Sequence, residues 1–264
     1  MKALQKYVAD VGILRDYNGI ASKLSHLSVC RQSGIEDGKN FTAKGEAGND
    51  RKLDNSLSRT KSRIQELSLC NPWEWFVTLT LDPQKYDRTD LEKFRGDFAQ
   101  FIRDYRKKTG NPVKYLLIPE HHKDGAWHMH GFFLGLPEEA LHRFSLKEHL
   151  PHQILERIKG GTPVFTWPEY ANRFGYAVLE KIDRLEAVAR YITKYVTKDM
   201  MNTIKELNAH IYYASKYLNH STVVAKGCMV RPLENPDFRN EHCAVKWFAG
   251  LDEGLAAFME VTAS

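Results

Sequence analysis

The sequence predicts an α+β domain, a central antiparallel β-sheet with flanking helices. Three observations predict it. Apolar residues make up 42% and charged residues 27% of the 264 positions, the usage of a chain that buries a real core. Runs rich in β-branched and aromatic residues mix with segments of helical period. Two of those runs are joined by a hairpin-length link, which favours antiparallel pairing over a wound parallel sheet. The length allows one large domain or two small ones.

Composition also excludes several classes. The formal net charge of +5 permits a polyanionic partner without demanding one. No run of 18 apolar residues occurs, and the start, Met1-Lys2-Ala3-Leu4-Gln5-Lys6, lacks the apolar stretch of a signal peptide. Cys30, Cys70, Cys228 and Cys243 are scattered, with no Cys-x-x-Cys pair, and fit neither a disulfide framework nor a thiolate zinc site. The expectation is a soluble, cytoplasmic globular protein with no membrane partner.

Residues 1–70 read as a basic, loop-rich N-terminal extension and 71–264 as the folded domain. Residues 31–55, rich in Gly, Ser, Asn, Lys and Asp, read as a connector. Leu57, Ile64 and Leu67 predict a basic helix over 56–69, and five basic residues against one acid between Arg51 and Arg63 make either a solvated surface or a nucleic-acid contact. Trp75–Leu81 is an apolar run stopped by Asp82-Pro83 and reads as a buried strand. Over 91–107, Phe94, Phe98, Phe101, Ile102 and Tyr105 line one helical face. Residues 113–120 form a second strand and, after Lys123-Asp124-Gly125, Trp127–Leu134 a third. Residues 138–149 read as helix, 174–182 as strand and 185–198 as helix.

Two motifs carry chemistry. His128 and His130 lie two apart in the third strand and project from one face, while Met129 faces the other. Glu120 ends the preceding strand, so an antiparallel hairpin can bring its carboxylate beside both imidazoles. Two imidazoles and a carboxylate, with positions left open, suit a divalent ion that polarises a phosphate oxygen. An isolated His-x-His is otherwise an incidental pair on a strand. The second motif is Tyr191-Ile192-Thr193-Lys194-Tyr195-Val196-Thr197-Lys198. Tyr191 and Tyr195 share a helical face, and Lys194 and Lys198 each follow a tyrosine by three residues. A phenol with a pKa near 10 is a poor nucleophile at neutral pH, and neighbouring ammonium groups and a metal favour the phenolate. The plainer reading is an amphipathic helix with boundary tyrosines and solvated lysines.

Together these blocks resemble a rolling-circle replication initiator of the HUH endonuclease superfamily, of the phage gene A and gene II types. The resemblance runs over residues 76–198: Phe76-Val77-Thr78-Leu79-Thr80, then Glu120 through His128-Met129-His130, then the doubled Tyr-x-x-Lys of Tyr191, Lys194, Tyr195 and Lys198. It implies a five-stranded antiparallel, RRM-like palm with the metal ligands at its centre. It implies that Glu120, His128 and His130 hold Mg²⁺ or Mn²⁺, and that Tyr191 or Tyr195 attacks single-stranded origin DNA to leave a 5′-phosphotyrosine and a free 3′-OH. Lys194 and Lys198 then neutralise the phosphate or serve the departing oxygen, and a second tyrosine permits strand transfer and rejoining. The implied setting is the cytoplasm of a bacterial host. No Gly-x-x-x-x-Gly-Lys-Ser/Thr loop appears, so a host helicase and DNA polymerase are the expected partners. The alternatives are an HUH single-strand transposase, a non-catalytic RRM-like nucleic-acid binder and, more remotely, a zinc hydrolase.

Other residues stay open in the sequence. His121 and His122 are loop histidines, alternative ligands or DNA contacts. Asp82 is a turn residue or a neighbour of the metal. Trp127 is a hydrophobic plug or a platform for an unpaired base. Arg190 is a helix-surface charge.

Overall fold

The computed structural model describes residues 7–31, 50–197, 200, 203 and 210–262. The fold is α+β, with two antiparallel sheets among the described residues. Contacts divide the chain into two units, one made of Met1–Lys44, Leu69–Asn71 and Asn219–Ser264, the other of Gly45–Ser68 and Pro72–Leu218. The first residues are more than a loop-rich extension. β1 (Tyr7–Tyr17) and β2 (Ala21–Arg31) form a hairpin paired from Tyr17↔Ala21 to Tyr7↔Arg31. Asn18 and Gly19 turn the chain with φ of 58° and 75°, a conformation that Asn-Gly tolerates and most residues resist.

The second unit opens with α1 (Asp50–Leu69), so 50–55 is helical where a connector was expected, and 32–49 lies outside the described residues. It continues through β3 (Trp75–Leu81), α2 (Leu91–Thr109), β4 (Lys114–His121) and β5 (Trp127–Leu134). Then come β6 (His142–Arg143), α3 (His152–Lys159), β7 (Val164–Thr166), α4 (Pro168–Arg173), β8 (Gly175–Lys181), α5 (Leu185–Ile192) and β9 (Tyr213–Ala214). The sheet order is β6-β7-β8-β3-β5-β4-β9. Five strands form its body, and the two-residue β6 and β9 extend the expected five to seven.

The expected helix over 138–149 does not form beyond a single 3-10 turn, Glu138–Ala140. Tertiary pairing overrides its helical composition: β6 joins β7, and Phe144 N–H donates to the Val164 carbonyl at 2.9 Å. The helix expected over 185–198 ends at Ile192 and tightens into a 3-10 turn, Thr193–Tyr195. There the β-branched Thr193 turns its hydroxyl back onto the Arg190 carbonyl at 2.8 Å.

Strand alternation gives this sheet two faces. Trp75, Val77, Leu79 and Leu81 of β3 are buried in the layer beneath α2. α2 starts at Asp90, whose carboxylate accepts from Lys93 N–H, and buries Phe94, Phe98 and Phe101 against Phe133, Trp167 and Phe174. The opposite face carries Phe76, Thr78 and Thr80 in register with Phe132, His130 and His128 of β5. Next to them β4 sets Leu116, Ile118 and Glu120. Gly131 sits at the centre of β5, where an added Cβ would collide with the Leu116 carbonyl oxygen. Only glycine lets β4 approach there.

In the first unit, β10 (Thr222–Cys228), β11 (Phe238–Arg239) and β12 (Cys243–Ala249) join the hairpin in the order β10-β1-β2-β12-β11. α6 (Leu251–Val261) covers one face, closing a core of Leu14, Leu24, Met229, Leu233, Ala244 and Val261. No helix among the described residues is long and apolar enough to cross a membrane.

Candidate functional site

The face opposite α2 brings the two sequence motifs together. Glu120 pairs in register with His128, across a link whose Gly125 takes φ 83°. Glu120 Oε2 and His130 Nε2 are 2.7 Å apart, and the same oxygen lies 3.3 Å from His122 Nε2. Each strand histidine is held from behind by a β3 hydroxyl: Thr78 Oγ1 is 3.1 Å from His130 Nδ1, and Thr80 Oγ1 is 3.2 Å from His128 Nδ1. Threonine suits β3 twice over, since it favours a strand and presents a group that both donates and accepts.

Electrostatics keep the imidazoles neutral and the carboxylate ionised. Burial, reinforced by the charges of His122 and His130, pushes His128 down to about 4. Burial lowers His130 as well, against the opposing pull of Glu120. Burial alone would raise Glu120, but the hydrogen bonds and charges of His130 and His122 outweigh it and hold it below the usual carboxylate value. A carboxylate only accepts, so neutral His130 donates from Nε2 and accepts a hydrogen bond from the Thr78 hydroxyl at Nδ1.

The tyrosine turn sits on this face. Ala189, Ile192 and Val196 are buried and anchor it. Tyr195 stacks on the His130 ring at 4.0 Å with 7° between planes. Tyr191 meets Phe76 edge-on at 5.8 Å and Tyr195 at 5.8 Å. The Tyr195 hydroxyl donates to the Tyr191 oxygen at 3.2 Å, and Lys194 Nζ lies 3.4 Å from the centre of the Tyr191 ring. The two phenols therefore differ. Hydrogen bonds from Lys194 and Tyr195 lower Tyr191, whereas burial and its bond to Tyr191 raise Tyr195. Lys198 lies outside the described residues.

Two features went unread in the sequence as parts of the site, the threonine layer and Arg157. Thr78 and Thr80 register as strand formers, and only the ladder to the two histidines reveals their hydroxyls as partners. His122, which the sequence leaves open as a loop histidine, a ligand or a DNA contact, folds back to stack on His128 at 3.9 Å. Arg157 of α3 pairs with Glu180 of β8, and its charge favours ionisation of both Tyr191 and Tyr195. Far upstream of the tyrosines, Arg157 has no local signal. The open residues also resolve. Trp127 is a plug, 1% exposed, with Nε1 donating to the Thr89 carbonyl. Asp82 is a turn residue that accepts from Gln84 N–H at 2.9 Å. Arg190 is exposed on α5.

Among the described residues no three His, Cys, Asp or Glu side chains are gathered as a ready cage for an ion. Glu120 and His130 satisfy one another instead. The donor chemistry nonetheless fits a divalent ion: an ionised carboxylate, two neutral imidazoles and a hydroxyl behind each Nδ1 that fixes the ring. Binding would exchange the Glu120–His130 hydrogen bond for bonds to the ion.

No curated protein and no solved structure matches the chain. Residues 74–200, just under half of its 264 residues, match the model of the replication-associated protein family of the ORF2 and gene II protein type. The matched span lies within the second unit and contains Glu120, His128, His130, Tyr191 and Tyr195. Over that span the chain is similar to replication-associated proteins.

Proposed function

We propose that the chain is a metal-dependent, site-specific nickase and ligase for single-stranded origin DNA that starts rolling-circle replication. The observation that carries this reading is the stacking of Tyr195 on His130, which joins the doubled tyrosine turn to the His-x-His strand. Structural tyrosines on an amphipathic helix have no need of that neighbour.

In this reading Glu120, His128 and His130 hold Mg²⁺ or Mn²⁺. Bound there, the ion polarises the scissile phosphate and offsets charge in the transition state. Thr78 and Thr80 orient the two imidazoles. Tyr191, its proton loosened by Lys194 and Tyr195, is the first nucleophile. Once its proton has passed to solvent, its phenolate oxygen attacks phosphorus in line, and the bond to the 3′ oxygen breaks. The products are a 5′-phosphotyrosine and a 3′-hydroxyl once that oxygen takes a proton. Lys194, with Lys198 of the same motif, neutralises the phosphate. Tyr195 serves the second transfer, which releases one strand and links the next. The partners in this reading are a host helicase and DNA polymerase, in the cytoplasm of a bacterial host.

End-labelled oligonucleotides from candidate origins, incubated with Mn²⁺, Mg²⁺ or EDTA, test the reading. The expected result is cutting with either ion, none in EDTA and none by His128→Ala. A protein that binds the oligonucleotides tightly and cuts none of them would instead be a non-catalytic binder.

A further inference from the structure

The row of residues that holds the site continues past it. Glu120 pairs with His128, His128 with Thr80, and Thr80 with Tyr176 of β8, all on one sheet face. Tyr176 is 62% exposed, whereas Val178 and Glu180 on the same face of β8 are half-buried. Its backbone is fixed. Gly175 passes so close to β3 that an added Cβ would collide with Asp82 N, and Asp82 N–H donates to the Phe174 carbonyl at 2.9 Å. At the far end of β8, Glu180 holds Arg157, the cation whose field reaches both site tyrosines. Tyr176 and Glu180 are four residues apart, about 13 Å along the strand, with Val178 between them on that face. Tyr176 is two strands from His128, about 10 Å at ordinary strand spacing.

We infer that Tyr176 is the base-stacking platform for the DNA strand beside the attacked phosphate, at the start of a track along β8 that ends at Arg157. A rigid backbone with an uncovered ring presents a π-face to an unpaired base at little entropic cost, as aromatic residues do on other sheet faces that bind single strands. Arg157, exchanging Glu180 for a backbone phosphate, closes the other end. The track rests on the nickase reading for its direction, because the attacked phosphate must sit beside His128 and Tyr191.

The test compares the full-length protein with Tyr176→Val, which keeps strand propensity and removes the ring, and Tyr176→Phe, which keeps the ring. Anisotropy of a labelled single-stranded oligonucleotide in EDTA reads binding without cutting. Tyr176→Val should bind about 5- to 150-fold more weakly and Tyr176→Phe close to wild type. Abasic substitution of one nucleotide flanking the nick should weaken wild type and leave Tyr176→Val unaffected. A wild type that nicks while Tyr176→Val binds as tightly overturns this inference alone. Binding lost in Tyr176→Val without any nicking by wild type removes the nickase reading and keeps the platform. Failure of wild type to bind single-stranded DNA removes both.

Discussion

Thr78→Val isolates the hydroxyl behind His130. Valine keeps the shape and the strand propensity, so β3 remains in place. The His130 side chain is 9% exposed, and its Nδ1 loses the partner at 3.1 Å with little water to replace it. An unpaired buried polar atom costs about 1–3 kcal/mol. At about 2–4 °C per kcal/mol, the melting temperature should fall by about 2–12 °C. The functional effect is separate. When Nε2 faces an ion, Nδ1 must carry the proton and donate it to Oγ1, which valine cannot accept. The Mn²⁺ concentration for half-maximal nicking should rise by about 10- to 100-fold. Thr80→Val is the internal control: His128 is less buried than His130, so water can stand in for the hydroxyl and the loss of stability should be smaller. Thermal unfolding and a Mn²⁺ titration of nicking measure both effects. A Thr78→Val protein with unchanged melting and unchanged metal dependence would refute the assigned role of the threonine layer.

Further outcomes follow from the same geometry. Gly131→Ala should destabilise the second unit by about 1–3 kcal/mol or more in urea unfolding, because the new Cβ meets the Leu116 carbonyl on the neighbouring strand. Asp90→Ala should cost about 1 kcal/mol through loss of the cap on Lys93 N–H, with nicking unchanged at low temperature. Stability should fall as pH drops. His128 is held at about 4 when folded against 6.5 unfolded, so between those values the unfolded chain binds more protons; its contribution is complete above about 6.5 and is lost on acidification towards 4. Denaturant midpoints at pH 7 and pH 5 check the sign. Tyr191→Phe should block first-round cutting and Tyr195→Phe the second transfer, read on a suicide substrate and a rejoining substrate. If each single variant completed both steps, the division of labour would be wrong.

Much of the second unit is legible in the sequence because its strands are buried runs with clear stops. Trp75–Leu81 and Trp127–Leu134 match their observed bounds, and the aromatic stripe of α2 names the layer it packs under. The N-terminal hairpin escapes for a local reason. Asp10, at φ 50°, interrupts β1 and spoils the strict alternation that marks a half-buried strand, although Asn18-Gly19 is a turn signal in plain view. The stretch 138–149 is misread because Glu138, Glu139 and Ala140 favour a helix that pairing with β7 overrides. In the site, the spacing of His128 and His130 and of Tyr191 and Tyr195 follows from one strand and one helix face. The threonine layer and the reach of Arg157 depend on residues far apart in the chain, which no local pattern encodes.

Covalent chemistry at the tyrosine turn is read by mass spectrometry of the protein after reaction with single-stranded origin DNA and Mn²⁺. The expected result is a nucleotide adduct on a peptide containing Tyr191 or Tyr195, on Tyr191 in the first round, absent in EDTA and absent from Tyr191→Phe/Tyr195→Phe. Cut DNA with no adduct, or cutting that persists in the double variant, would contradict it.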